Sequence, residues 1–183
     1  MAEEITFEDF VRKIASALDE CAFDYIVIGG VAALYYGRPR TTSDCDVILS
    51  IDEGQLGGFT SCLKRHGFRI NDHDVLLAFH EKSHFNAYWG NAPFRVDFSW
   101  RTSSLAEHGF RRAKTVRLLG LRVRMESPED VIIAKLVYGS PQDLDDAKAI
   151  LMLQKKLDRK YLKKRAEEEG VKSKLEHLYK SIR

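Results

Sequence analysis

In DCDVILSI, residues 44–51, two aspartates flank one cysteine. Alternate residues of an extended strand share a face, so Asp44, Asp46, Ile48 and Ser50 point one way and Cys45, Val47, Leu49 and Ile51 the other. The same alternation in FRVDFSW, residues 94–100, puts Phe94, Val96, Phe98 and Trp100 in a core and leaves Arg95, Asp97 and Ser99 opposite. If the two strands are neighbours, Asp97 joins Asp44 and Asp46. Carboxylates so gathered repel one another and need cations or raised pKa values to coexist. Mg²⁺, or Mn²⁺ in its place, takes oxygen ligands and keeps positions for water and phosphate oxygens, which is what an open carboxylate cluster offers. Two such ions ~3.5–4 Å apart stabilise the attacking and leaving oxygens of an in-line phosphoryl displacement. Upstream, Gly29-Gly30 lack Cβ atoms and let backbone N–H groups approach the triphosphate of an NTP at a helix start. In the loop RPRTTS between them and the acids, Arg40 or Arg38 supplies positive charge for phosphate, with Thr42 alongside.

The elements that must position these residues are legible as periodicities. Phe7, Phe10, Val11, Ile14 and Leu18 recur at helical spacing behind TFED, a capping-box pattern, and predict a helix over 7–21. YIVI at 25–28 predicts a buried strand, followed by Gly29-Gly30 and a helix VAALYY that stops at Gly37; Pro39 prevents its continuation. Asp52 is placed to cap the next helix, whose stripe is Leu56, Phe59 and Leu63 before Gly67. HFNAYW, the turn GNAP and FRVDFSW predict a hairpin over 84–100, and TVRLLGLRVRM at 115–125 a second pair of short strands. SPED at 127–130 and SPQD at 140–143 each place Ser at an N-cap, Pro at the first helical position and Asp closing the box. Two basic helical segments, parted near Gly170, finish the chain.

A chain of 183 residues, 44% hydrophobic, can bury one good-sized core. The expected division is a core over 1–126 and a C-terminal helical region over 127–183 packed on it. No stretch approaches the ~18–20 consecutive apolar residues of a membrane span. The acidic, polar start MAEEITFEDF does not read as a signal peptide, so a cytoplasmic protein with no membrane partner is expected. Cys21, Cys45 and Cys62 are odd in number and lack CxxC spacing, which argues against a disulfide framework or zinc knuckle and for small core residues. The formal charge of +2 conceals an asymmetry: residues 155–183 hold eleven Lys/Arg against five Asp/Glu. A basic end is compatible with a nucleic-acid partner and equally with a solvated helix face. The same two readings apply to Arg111, Arg112, Lys114, Arg117, Arg122 and Arg124. His80 and His84 are four apart, but His84 falls with the following strand, so a shared helical face for a metal is not expected.

The order of parts is more specific than any one of them. Strand, Gly29-Gly30, helix, loop, DCDV at 44–47 and VDF at 96–98 resemble the nucleotidyltransferase superfamily typified by DNA polymerase beta. This resemblance implies an α/β (α+β) fold, a mixed twisted β-sheet flanked by helices, with Asp44, Asp46 and Asp97 as metal ligands. RTTSDCDVIL together with ESPEDVIIAKLVYGSPQDLDDAKAIL at 126–151 further resembles the AbiEii-type nucleotidyltransferases, which include toxins of toxin–antitoxin and phage-defence systems. That likeness implies an active-site lysine at Lys135 and an aspartate at Asp143 or Asp146. It also implies a tRNA 3′ end as favoured acceptor and an antitoxin protein as partner.

The residues themselves bear on both positions. VIIAKLV at 131–137 is apolar except for Lys135, which must snorkel or meet a carboxylate or phosphate. Asp143 completes a capping box, whereas Asp146, one turn on, is not consumed by it, so Asp146 is the expected acid. The expected activity is Mg²⁺-dependent transfer of an NMP from an NTP to a hydroxyl, by Asp44, Asp46, Asp97, Lys135 and Asp146. Against it stand a regulatory nucleotide-binding module of the same fold and a nucleic-acid-binding protein led by its basic helices.

Overall fold

The computed structural model describes residues 5–182; residues 1–4, where the acidic start of the chain lies, and residue 183 fall outside it. Helix α1 (Phe7–Cys21) opens with the capping box: Thr6 Oγ1 accepts from the Asp9 N–H, and the Asp9 carboxylate accepts from the Thr6 N–H. Its apolar stripe, Phe10, Val11, Ile14, Ala15, Ala17 and Leu18, is buried. Then come β1 (Tyr25–Ile28), α2 (Gly29–Tyr36), β2 (Asp44–Leu49) and, after a 3-10 turn at Glu53–Gln55 capped by Asp52, α3 (Leu56–Arg65). β3 (Phe68–Arg69) and α4 (Asp72–Glu81) lead to the hairpin β4 (Phe85–Trp89) and β5 (Arg95–Trp100). α5 (Ser104–Arg112) precedes the second hairpin, β6 (Lys114–Leu118) and β7 (Leu121–Met125). The chain continues as α6 (Pro128–Tyr138), α7 (Pro141–Leu153), α8 (Arg159–Glu168) and α9 (Lys172–Ser181).

The strands form one mixed sheet in the order β3-β4-β5-β2-β1-β7-β6. β2 pairs with β5 and β1 with β7 in parallel, and the other pairs are antiparallel. One face carries Tyr25, Val27, Cys45, Val47, Val96, Phe98 and Trp100 into the main core with α1 and α3. Phe98 lies at the centre of an aromatic cluster, stacked on Phe85 at 5.0 Å and edge-on to Phe59 at 5.3 Å. The opposite face is covered only in part: Ile26 and Ile48 pack against Ala106 and Phe110 of α5. The acid-bearing positions of β2 and β5 lie on this less covered face. Among the described residues no helix is long and apolar enough to cross a membrane.

Several expectations need correction. Helix α2 begins at Gly29 rather than after the glycines, and β2 ends at Leu49 rather than Ile51. Ser127 caps α6 as read, but the Asp130 carboxylate accepts from the Ser127 and Tyr161 hydroxyls and does not reach back to the Ser127 N–H. Half of the basic run at 111–124 is engaged by carboxylates, while Lys114, Arg117 and Arg122 stay exposed. Arg111 pairs with Glu107, Arg112 with Glu129 and Asp130 while lying over the Tyr161 ring, and Arg124 with Asp24.

The cysteines are the clearest reversal. Cys21, at the end of α1, is disulfide-bonded to Cys62 in α3, and only Cys45 is a free, buried thiol. Packing of α1 against α3 brings together residues 41 positions apart, which linear spacing does not reveal. Closing a loop of that length restricts the unfolded chain. Reduction, or Cys62→Ser, is therefore expected to lower unfolding free energy by about 2–4 kcal/mol; identical denaturation midpoints for oxidised and reduced protein would contradict it.

Candidate active site

The parallel pairing of β2 with β5 sets Asp44 opposite Arg95 and Asp46 opposite Asp97. Side-chain alternation then aims all three aspartates to the less covered face, where each is half-buried. Next to them the chain turns from β1 into α2 through Gly29, whose φ of +62° is a left-handed conformation. A Cβ there would lie 2.0 Å from Asp46 Oδ2, so no side chain fits while that carboxylate is in place. A Cβ on Gly30 would lie 2.8 Å from Thr42 Oγ1 and 3.4 Å from Arg40 Nη2. The Gly30 N–H donates to Asp46 Oδ2 at 3.3 Å, and Thr42 Oγ1 donates to Asp44 Oδ1 at 2.9 Å. The double glycine thus makes room first for the acids and their supports, and this shape also leaves the helix start open to a cleft of about 460 Å³. That cleft is lined by Gly29, Gly30, Arg40, Thr42, Asp44 and Asp46, with Lys135, Tyr138 and Gln142 on its far side.

Repulsion from the neighbouring acids adds to the effect of burial at Asp46. Burial, then the Asp44 charge, raises the Asp46 carboxyl from its ordinary 3.8 to about 6, with Asp97 adding to the rise and the Gly30 N–H and Lys135 opposing it. Arg95, which the sequence reading left without a role, relieves part of this: its Nε donates to Asp97 Oδ1 at 2.7 Å and its Nη2 lies 3.7 Å from Asp44 Oδ2. With Asp97 drawn to Arg95, the three aspartates do not close to within 4.8 Å of one another; among the described residues only Cys21, Cys62 and His66 do so, and two of these form the disulfide. Carboxylate oxygens on an open cleft are nonetheless the donor chemistry of Mg²⁺ or Mn²⁺, and the Asp46 position is cradled by a glycine that no other residue could replace.

On the cleft's other wall, the two cations expected to meet phosphate are already paired. Lys135, only 9% exposed, donates to Asp143 Oδ1 at 2.7 Å and lies 3.1 Å from Asp146 Oδ2. Arg40 grips Asp146 with Nε at 3.0 Å from Oδ1 and Nη2 at 3.1 Å from Oδ2. Asp143 serves twice, since its Oδ2 also accepts from the Ser140 N–H and hydroxyl as the cap of α7. Both candidate acids therefore contact Lys135, and Asp146, 5% exposed, joins it to the Arg40 loop. Lys135 in turn holds Asp143 below the ordinary carboxylate range against the effect of burial.

Of the residues singled out from sequence, the structure brings Gly29, Gly30, Arg40, Thr42, Asp44, Asp46 and Lys135 around one cleft and sets Asp97 beside it. Asp146 stands behind the cleft wall as an ion-pair partner. Arg38 pairs with Asp145 on the exposed side instead. Sequence reasoning gave no role to Arg95, Gln142 or Tyr138; the Arg95–Asp97 spacing on a single strand is the one available signal.

The family model described as nucleotidyltransferase of unknown function (DUF6036) matches residues 5–181. No curated protein sequence matches the chain. The fold is similar to that of ANT(2″)-Ia, solved in complex with adenylyl-2″-tobramycin, with a TM-score of 0.62 at 18% identity over 89% of this chain and 96% of that one. It is also similar to an antigenic nucleotidyltransferase-like protein from Paracoccidioides brasiliensis, with a TM-score of 0.59, 17% identity and coverage of 98% and 93%. A third similar structure is the lincosamide antibiotic adenylyltransferase LnuA bound to lincomycin, with a TM-score of 0.55, 14% identity and coverage of 83% and 100%. At these identities the likeness is one of fold.

Two expected outcomes follow. Because folding raises the Asp46 carboxyl from 3.8 to about 6, it favours the protonated form. Its stabilisation is complete below the unfolded value and is lost as pH rises through the folded one. In EDTA the chain should lose up to about 3 kcal/mol between pH 4 and 7 from this group. Asp46→Asn should flatten that slope and raise the melting temperature at pH 7; an unchanged profile would count against a raised Asp46 carboxyl. Lys135→Met should destabilise by about 3 kcal/mol, because it strips a buried cation from two carboxylates, and Lys135→Met/Asp143→Asn should recover part of that loss in denaturant titrations.

Proposed function

Because the chain belongs to the DUF6036 family of nucleotidyltransferases, we propose that it moves an NMP from an NTP onto a hydroxyl acceptor. The acceptor oxygen bonds to the α-phosphorus as the bond to the pyrophosphate oxygen breaks, and the hydroxyl proton passes to a carboxylate. The observation that carries this reading is the pairing of Asp46 with Asp97 on adjacent parallel strands, beside the left-handed Gly29. Asp44, Asp46 and Asp97 are the residues that would hold Mg²⁺ or Mn²⁺, which when bound supplies positive charge to the phosphate and acceptor oxygens. The Arg95–Asp97 contact would have to open for a close three-acid site. Gly29 and Gly30 admit the triphosphate at the start of α2. Arg40 and Lys135 supply charge to it, each held in place by Asp146 and, for Lys135, Asp143. Thr42 holds Asp44 in position. Division of the chain into a catalytic core over 1–126 and a helical region over 127–183 belongs to this proposal, with Lys135 contributed by the second part.

For the acceptor, the geometry favours a small hydroxylated molecule. A cavity of about 240 Å³ shares Ile28, Gly29, Lys135 and Tyr138 with the nucleotide cleft, a space suited to a small body. Two proteins of similar fold carry the names of antibiotics they act on or bind, a modified tobramycin and lincomycin. The second reading is a tRNA 3′ end, with a toxin's role and an antitoxin partner. It draws on the AbiEii-like segments and on the exposed lysines Lys155, Lys156, Lys160 and Lys163 of the C-terminal part. A cytoplasmic location goes with either reading.

The test is transfer of label from each α-labelled NTP with Mg²⁺ into RNA, protein and small-molecule fractions. Wild type should label one of them and release pyrophosphate, and Asp44→Asn/Asp46→Asn should lose this by about a hundredfold or more. Nucleotide binding without pyrophosphate release in any fraction would instead indicate a regulatory module.

A further inference from the structure

The cavity of about 240 Å³ beside the cleft is enclosed by the sheet, α5 and α6. Its walls are chiefly apolar, with Ile28, Ile48, Leu105 and Val131 among them, and it is smaller than the roughly 300–1,000 Å³ of sites for drug-sized ligands. One acid, Glu126, the residue before the Ser127 cap of α6, lines it. Glu126 is 4% exposed, and among the described residues its carboxylate has no hydrogen-bond or ion-pair partner. The nearest lysine on the cavity wall, Lys135, is engaged by Asp143 and Asp146, and Lys82 sits at the exposed rim. The chain makes room for this acid: a Cβ on Gly109 of α5 would lie 2.9 Å from Glu126 Oε1.

An unpartnered buried carboxylate is costly to ionise unless a donor or cation reaches it. Burial pushes Glu126 up to about 8, Asp130 adding to the rise and Lys135 opposing it; Tyr36 of α2 and Tyr138 of α6 feel its charge in turn. In a pocket with an apolar lining, the ligand best able to supply the missing cation is a small amine with a hydrocarbon body. The cavity's Gly29 edge opens toward Asp46, where a hydroxyl would have to arrive to react.

We infer that this cavity is the acceptor pocket and takes a small amphiphilic amino alcohol, its body on Ile28, Ile48, Leu105 and Val131, its protonated amine on Glu126 and its hydroxyl at the Gly29 edge. The inference rests on the transfer reading above. In the reaction the acceptor hydroxyl oxygen forms the new bond to the α-phosphorus, pyrophosphate leaves, and the proton goes to a carboxylate of the aspartate set, while Glu126 remains unchanged as a binding group.

Calorimetric titration of the full chain with phenylalaninol and leucinol, against their deaminated counterparts, tests the pocket without requiring turnover. The amino alcohols should bind about tenfold tighter or more. Their binding at pH 7 should release close to one proton, read from titrations in two buffers of different ionisation heat, because the amine converts a protonated Glu126 into its carboxylate. Glu126→Gln should abolish both the preference and the proton release. Gly109→Ala, which crowds Glu126 without removing it, should weaken amine binding while leaving the carboxyl in place. Equal affinity for amine and deaminated compound, an unchanged preference in Glu126→Gln, or no binding heat from any of the four compounds would each overturn the pocket. Failure of the transfer reading has a different signature: amine binding intact, with no label passed from any NTP to phenylalaninol, leucinol or RNA.

Discussion

Like-charge crowding on one face of the sheet is the constraint around which this molecule is organised. Asp44, Asp46 and Asp97 share that face because β2 and β5 run parallel in a register that sets Asp46 opposite Asp97. Nothing in their mutual interaction favours that arrangement. It is held by the other face of the same strands, where Cys45, Val47, Val96 and Phe98 are almost wholly buried. A slip of one residue would exchange these two sets, moving the acids into the core and the apolar side chains into the cleft. Hydrophobic burial on one side thus sustains electrostatic strain on the other, and Arg95 moderates it.

A second charge group across the cleft answers the first in sign but is not free to act alone. Arg40, Lys135, Asp143 and Asp146 tie together the loop after α2, helix α6 and the first turns of α7. The cations are held in place by these carboxylates, which restricts their side chains. They are also partly neutralised, so any anion entering the cleft has to compete with Asp143 and Asp146 for them. Asp143 couples this to helix stability, because the same carboxylate caps α7.

The sequence exposed this site unevenly, and the reasons are physical. Strand alternation is a period of two, so the facing of Asp44, Asp46 and Asp97 was legible once the strands were recognised, as were the capping serines at 127 and 140. Helix α5 was not, because its buried residues, Ala106, Gly109 and Phe110, make too narrow a stripe to announce a helix. The resemblance leaves Asp143 and Asp146 as alternatives and the capping box favours Asp146; two oxygens let Asp143 both cap the helix and meet Lys135. The disulfide and the lone acid Glu126 depend on which helices meet in space, for which a single sequence offers no periodicity. Cys21 and Cys62 became partners only through the packing of α1 on α3.

The left-handed turn at Gly29 links two residues in a way that reaches beyond this chain. Its lack of a side chain is required twice, once by a backbone angle of +62° and once by the Asp46 carboxylate that would collide with any Cβ. Loss of Asp46 removes the second requirement and leaves the first, which asparagine or aspartate can meet at modest strain. Only when the carboxylate at 46 is gone or displaced can position 29 take those residues. A larger residue at 29 in a related sequence would accordingly signal that the carboxylate at 46 has moved aside or been lost.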